Sequence, residues 1–582
     1  MEETRSQPRL ADALSKQLLL KGLLAYSAFG ACQVLYRLLR GWRESLRMRD
    51  MLADIPASKG NEAPMSWVKE MRKNFHRAND WRYEICEGMP ICKNVGFRWN
   101  PGGFQVICGE PDMVRHFLKD AFDTYTKGVP SGENPFFIYF QEFLGDGIFT
   151  VRHGLGSDDD GKAWTQMRKI SAQIFNRKNF NSLMQDVFVE KAESLRSFLS
   201  RPEVQKEPVD LQMGFFNFTM DSIMKIFFGE DSSTVMGKQN RYGEAFDNAQ
   251  GAMRQHMVKS ISFNLIASTF LPWPFSSPSG GGLARMLWDA TSPTYREFTS
   301  ELAVIHDEAD RLVKECLADP KFETRRDLLA LFLQAQKEIK FTTQFVKDMV
   351  LNLIIAGRDT TACLLSWMFY EISRDPEVQK RLHDEIDRKS PAGTSMDLKS
   401  LSHNELPYLH AVIYETLRLW PPVPVDSKVA FADDVLPGGW KVPRGTTLVF
   451  CPLVEDVGWK EARSHTTFKA SACCGCDIDF AVLWYNMGRD PVRYPDPLAF
   501  KPERWIPFTA PPHHEFPVFQ AGPRICLGMD MAIFEAKIAA VELLRHLRFE
   551  LKAGQSITYG TKITMNVKSG DKEELLVWVK KR

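Results

Sequence analysis

The sequence predicts a mainly α-helical fold with small β-sheets, set behind an N-terminal membrane-anchor helix. Three observations predict it: an apolar run with basic residues after it near the start, a very long stretch of helical periodicity, and strand-like segments that are short and few. At 582 residues the chain can hold one large domain plus an anchor, or two or three ordinary ones. Apolar residues make up 44% and charged residues 25%, the balance of a globular protein with a substantial core. A formal net charge of +1 gives no electrostatic reason for a nucleic-acid partner, and none is expected. The 11 cysteines are odd in number and irregularly spaced, which fits a reducing compartment better than a disulfide framework. Cys473, Cys474 and Cys476 cluster, but no second pair stands at zinc-finger spacing, so no zinc site is expected.

Residues 1–50 read as the anchor and its basic flank. Leu18 to Leu39 is mostly apolar, interrupted by Lys21, Gln33 and Arg37, and Arg40, Arg43, Arg47 and Arg49 follow. Spanning a bilayer takes about 20 apolar residues, so the run is just long enough, and the arginines hold its C-terminal side in the cytosol. No small-residue cleavage site follows that would mark a removed signal peptide. An amphipathic helix lying on the membrane is the alternative.

Residues 60–582 form the second unit. Strands are expected near Gln105–Cys108, Leu448–Cys451 and Thr561–Val567, and Ser276–Gly282 is a loop by composition. From Thr342 to Ser373, Phe345, Met349, Leu353, Ala356, Thr360 and Leu364 recur at helical spacing, predicting a helix of about 50 Å at 1.5 Å per residue. Pro376–Lys389 is a shorter amphipathic helix, and Pro407 sits where a first helical turn tolerates proline.

The chemistry concentrates in Phe519-Gln520-Ala521-Gly522-Pro523-Arg524-Ile525-Cys526-Leu527-Gly528. A loop with two glycines delivers Cys526 just ahead of the helical pattern Met529–Leu547, where the dipole and free N–H groups favour thiolate over thiol. Gly522 and Gly528 let backbone lie close to a large flat body. Arg524 offers a cation suited to a carboxylate on that same body. A buried structural cysteine in a glycine turn is the bland alternative.

This decapeptide resembles the haem-binding signature of the cytochrome P-450 family at Phe519, Gly522, Arg524, Cys526 and Gly528. The resemblance implies haem b as cofactor, with Cys526 as its axial ligand and a thiolate that favours O–O cleavage. Further segments agree. Ala356-Gly357-Arg358-Asp359-Thr360-Thr361 lies mid-helix, where a glycine costs about 1 kcal/mol against alanine. By resemblance Gly357 marks an opening of the helix over the iron. Thr360 then hydrogen-bonds dioxygen, and Asp359 relays protons. Glu415 and Arg418 share a helix face and, with Arg504, are implied to form a buried structural triad. Trp164 and Arg168 are implied to flank a haem propionate. Lys428 stands where the family often has a second propionate arginine, offering a point charge without the bidentate fork.

Two stretches depart from the pattern: Arg152–Asp159, and Val454 to about Trp484, which carries the cysteine trio. They are read either as translated introns or gene-model errors, the preferred reading for 454–484, or as genuine surface loops.

The resemblance extends to eukaryotic enzymes that hydroxylate fatty acids near the ω end, through the Ala356–Thr361 run, Pro422-Val423-Pro424-Val425 and Ala521–Arg524. It implies oxygen insertion into a long-chain fatty acid or similar lipid, with Ile355, Ala356, Val423 and Val425 lining the pocket. No glycine-rich dinucleotide fingerprint follows a strand, so electrons are expected from a separate NADPH-dependent flavoprotein reductase, with cytochrome b5 as an auxiliary donor. The implied location is the endoplasmic reticulum membrane, catalytic domain toward the cytosol. A haem-thiolate enzyme that rearranges peroxides is the rival, and the Asp359-Thr360 pair counts against it. A non-catalytic haem-binding protein is the other.

Overall fold

The computed structural model describes residues 105–127, 135–154, 161–174, 184–270 except 239, 283–335 except 326, 342–450 except 425 and 445, and 487–582. It also describes 91–94 and parts of 21–84. Val425, the 454–484 stretch with its cysteine trio, residues 155–159 and the Ser276–Gly282 loop lie outside the described residues.

Twelve named helices carry the architecture. They are α1 (Pro135–Leu144), α2 (Lys162–Ile174), α3 (Gln185–Leu199), α4 (Leu211–Phe228), α5 (Arg241–Phe270), α6 (Leu283–Thr291), α7 (Pro293–Ala318), α8 (Leu328–Ala335), α9 (Thr343–Arg374), α10 (Pro376–Lys389), α11 (Pro407–Leu419) and α12 (Met529–His546). Helix α9 is the predicted long helix, and its start is set by Thr342, whose hydroxyl accepts from the Phe345 N–H at 3.2 Å. Its end is set by Asp375, which turns the chain and caps α10 through the N–H groups of Glu377 and Val378. Pro376 and Pro407 occupy first turns, where the missing N–H costs nothing.

Helix α9 is buried nearly all round, and its long apolar window is 83% buried, so it is a core helix despite a membrane-like length and hydropathy. It packs against α4, α11 and α12. Its Trp367 stacks on Trp420 at 3.9 Å and donates its ring N–H to the Met565 carbonyl at 2.8 Å. At its N-terminal half, Asp348 and Asn352 accept from the N–H groups of Asp146 (2.9 Å) and Phe149 (3.0 Å), while Asn352 donates to the Leu144 carbonyl (2.8 Å). A Cβ on Gly147 would lie 2.0 Å from the Asn352 side chain, so glycine is needed for this approach. The loop after α1 is thus bolted to the core.

The sheets are small. Strands β1 (Ile91–Asn94), β2 (Gln105–Cys108), β3 (Tyr125–Thr126), β4 (Val209–Asp210), β5 (Ser427–Ala430), β6 (Asp434–Leu436), β7 (Trp440–Val442), β8 (Thr447–Phe450), β9 (Leu547–Leu551), β10 (Ile557–Thr561), β11 (Met565–Ser569) and β12 (Leu576–Lys581) are named in chain order. The largest sheet has the order β1-β2-β8-β5-β3, and only its β2–β8 pairing is parallel. Strand β2 matches its expected bounds, and β8 begins one residue earlier than expected. The single strand expected over Thr561–Val567 is instead the tip of a hairpin, β10 to β11, closed by the Lys562 N–H on the Thr564 carbonyl at 3.2 Å. β-Branched residues at the tip read as strand, although the chain reverses there.

Candidate haem-thiolate site

The cysteine loop is held from both sides. The Cys526 N–H donates to the Phe519 carbonyl at 2.8 Å, and Gly528 caps α12. Gly522 has φ +66°, and a Cβ there would sit 2.0 Å from the Leu118 carbonyl oxygen. Close packing against the Leu118 backbone is thus one reason for glycine here. At Gly528 the nearest atom to a Cβ is the Cys526 sulfur at 4.0 Å, so that side stays open. Phe519 packs against the main core.

Cys526 is exposed by surface area, yet burial is the largest influence on its thiol. The expected preference for thiolate is not met by the protein alone: burial pushes the pKa up, outweighing the Gly528 N–H and Arg168. A metal bound to this sulfur would supply the positive charge that favours the thiolate.

Across the core, the expected opening of α9 at Gly357 is absent, and the helix runs unbroken. Gly357 is explained instead by packing, since a Cβ would lie 2.4 Å from Ile223 Cδ1. Ala356, Gly357 and Thr360 are half-buried while Ile355, Arg358 and Asp359 are buried, so one short strip of the helix is accessible. Ile355 faces the core and not that strip. The Thr360 hydroxyl donates to the Ala356 carbonyl at 2.5 Å. Asp359 accepts from Gln250 at 2.8 Å and from Arg358 at 3.0 Å, and Arg358 grips Asp247 on α5 at 2.7 and 2.8 Å. Burial raises the Asp359 pKa, Arg358 opposes and Asp247 adds to it. Val423 is half-buried, next to Pro422, whose carbonyl accepts from Met565 N–H at 2.8 Å.

On another side of the cysteine loop, three cations, Lys428, Lys127 and Arg524, act on one carboxylate, Asp426. Lys428 is buried and ion-paired with Asp426, which also accepts from Gln520. Burial would raise the Asp426 pKa, but Lys428 and Lys127 outweigh it and bring it to about 2. Burial pushes Lys127 down to about 7, Asp426 opposing and Lys428 and Arg524 adding. Arg524 is pushed down to about 9 by burial, Asp426 opposing. Arg168 reaches the Ile525 carbonyl, and Trp164 lies under the Arg524 guanidinium at 4.7 Å. Trp164 and Arg168 thus both meet the cysteine loop. Lys127, Asp426, Gln520 and His153 belong to this cluster and escaped the sequence reading. Lys127, Asp426 and His153 sit on separate segments that only the fold assembles, and Gln520, inside the decapeptide, is not one of its fixed positions.

This excess of desolvated positive charge beside an open cysteine fits a group with a thiolate-binding centre and carboxylates, as haem has. A consequence follows for pH. With its folded pKa near 7 against 10.5 unfolded, Lys127 sheds its proton first in the folded state. The stability of haem-free protein should therefore rise from about pH 7 to about pH 10.5, and Lys127→Met should flatten that segment in thermal melts.

The structural triad is present. Arg418 donates to both Glu415 oxygens at 2.7 and 2.8 Å, Arg504 reaches Glu415 at 3.3 Å, and both Glu415 and Arg418 are fully buried.

A family profile described as Cytochrome P450 matches residues 97–454 and 475–570, breaking within the 454–484 stretch. The chain is 28% identical to Cytochrome P450 704C1 of Pinus taeda, over 85% of this chain and 88% of that protein. It is 29% identical to Cytochrome P450 94A1 of Vicia sativa, over 80% of each. It is 27% identical to Alkane hydroxylase MAH1 of Arabidopsis thaliana, over 86% of this chain and 89% of that protein. Proteins of the matched family are monooxygenases that bind haem b through a cysteine thiolate. A profile spanning most of the chain, laid over an open cysteine and its cationic flank, leaves one conclusion: this chain belongs to the cytochrome P-450 family.

Proposed function

We propose that this chain hydroxylates a long-chain fatty acid or alkane, at or near the chain end, on the cytosolic face of the endoplasmic reticulum membrane. Bound haem supplies the activation of dioxygen that lets one oxygen atom enter a C–H bond. Cys526 is the residue that holds it, and Arg168, Lys428, Arg524 and Lys127 hold its carboxylates, with Trp164 under Arg524. Asp359, buried and with its pKa raised by that burial, stands one residue from Thr360, whose hydroxyl donates to the Ala356 carbonyl, and the two are the groups that would pass protons to bound oxygen. The carrying observation is the strip Ala356, Gly357 and Thr360, half-buried and free of charge in the middle of a helix whose central turns are otherwise buried. An apolar chain suits that surface. A relative named as an alkane hydroxylase supports the substrate class. Every described residue between Lys21 and Met51 is helical, and Phe29, Leu35, Tyr36, Leu39 and Trp42 are exposed, which supports an N-terminal membrane helix. Electrons come from a separate NADPH-dependent flavoprotein reductase, with cytochrome b5 assisting.

The test is reconstitution with reductase and NADPH, offering fatty acids and alkanes of graded length. The expected result is a substrate-induced spin shift and a product hydroxylated at or near the terminus. Absence of both at every length would overturn the substrate class. In the same assay Thr360→Ala and Asp359→Asn should lower product formation by about tenfold or more, while NADPH consumption persists and hydrogen peroxide accumulates.

A further inference from the structure

We infer that His153 is a positioning residue for the haem, fixing the Arg524 guanidinium beside the cysteine loop so that its charge faces a haem carboxylate. The inference rests on the haem-thiolate reading above. It concerns a residue in the stretch where the chain departs from the family pattern.

Residues 152–154 are built into the interior. His153 is 1% exposed, and its ring stacks on Phe122 at 3.8 Å with Trp164 at 5.4 Å. Its backbone N–H donates to the Thr126 hydroxyl at 3.2 Å. Gly154 has φ +55°, and a Cβ there would meet the Asp123 carbonyl oxygen at 2.4 Å, so the segment follows β3 and its approach too closely for any side chain.

The ring's two nitrogens have separate tasks. Nε2–H donates to the Phe122 carbonyl at 3.0 Å, which leaves Nδ1 as an acceptor. Nδ1 receives Arg524 Nε–H at 3.0 Å and Nη2–H at 2.9 Å. The other Arg524 hydrogen bonds go to the carbonyls of Ile148 (3.2 Å) and Val151 (2.7 Å). Every acceptor is neutral. A carboxylate in place of His153 would have cancelled the guanidinium charge, whereas these partners aim the group and leave the charge for an incoming anion. Because the preceding loop is bolted to α9 through Asp348 and Asn352, the imidazole is a fixed support.

The experiment compares wild type, His153→Phe and His153→Asn as purified holoenzymes, reading haem content per chain and the rate of haem transfer to excess apomyoglobin. Phenylalanine keeps a ring against Phe122 but has no acceptor. Asparagine places an oxygen near the Nδ1 position. His153→Phe should lose haem about tenfold faster, and His153→Asn should lie close to wild type. A Phe variant that keeps haem as well as or better than wild type would overturn the inference, as would an Asn variant no better than Phe. Should the Phe variant fail to fold, wild-type-like retention by His153→Asn supports the acceptor role and accelerated loss refutes it. A wild-type chain that binds no haem sinks the haem-thiolate reading itself, and this inference with it.

Discussion

Replacing Glu415 with alanine should leave little folded protein. The carboxylate is fully buried and collects Arg418 twice, Arg504, the Lys501 N–H at 2.8 Å and the Trp505 ring N–H at 3.0 Å. Truncation strands Arg418 as a buried cation facing the carbonyls of Gly488, Pro497 and Ala499 and the Tyr494 ring, with its carboxylate gone. Breaking one side of a buried pair costs about 3–5 kcal/mol, a large part of the roughly 5–15 kcal/mol that holds a domain together. Urea unfolding gives the readout: the midpoint should drop sharply for Glu415→Ala, and less for Glu415→Gln, which keeps an acceptor. An unchanged midpoint for the alanine variant would show that the triad is not structural.

Cys526→Ser should remove NADPH-driven hydroxylation altogether while sparing the fold. The side chain is exposed, with its own backbone fixed by the Phe519 carbonyl, so oxygen in place of sulfur changes packing by less than about 1 kcal/mol. Thermal melts of haem-free protein should therefore coincide for variant and wild type, whereas turnover falls below detection. Cys32→Ala, Cys108→Ala, Cys316→Ala and Cys363→Ala should retain turnover, since these cysteines serve packing or surface. Turnover surviving in Cys526→Ser would move the ligand elsewhere.

What could be read before the fold was known divides by the range of the physics involved. Helices α9 and α10 were legible to within a residue, because periodicity, the Thr342 and Asp375 caps and Pro376 are all local signals. The Glu415–Arg418 pair was legible because its spacing is local too. The hairpin tip at Thr561–Val567 misled, since residues that favour strands also occupy turns when the flanking strands pair. Gly522 and Gly357 were noticed, but the reasons for them, Leu118 and Ile223, lie far away in the chain. Lys127, Asp426 and His153 were invisible for the same cause. Each acquires its meaning only when β3, β5 and the loop after α1 meet the cysteine loop.

The central claim is thiolate ligation of haem iron by this chain. The most direct measurement is the absorption spectrum of the purified wild-type protein, reduced and exposed to carbon monoxide. The account predicts the strongly red-shifted Soret band that only a thiolate ligand produces. A band at the position given by nitrogen ligation, or no haem band at all, would contradict it.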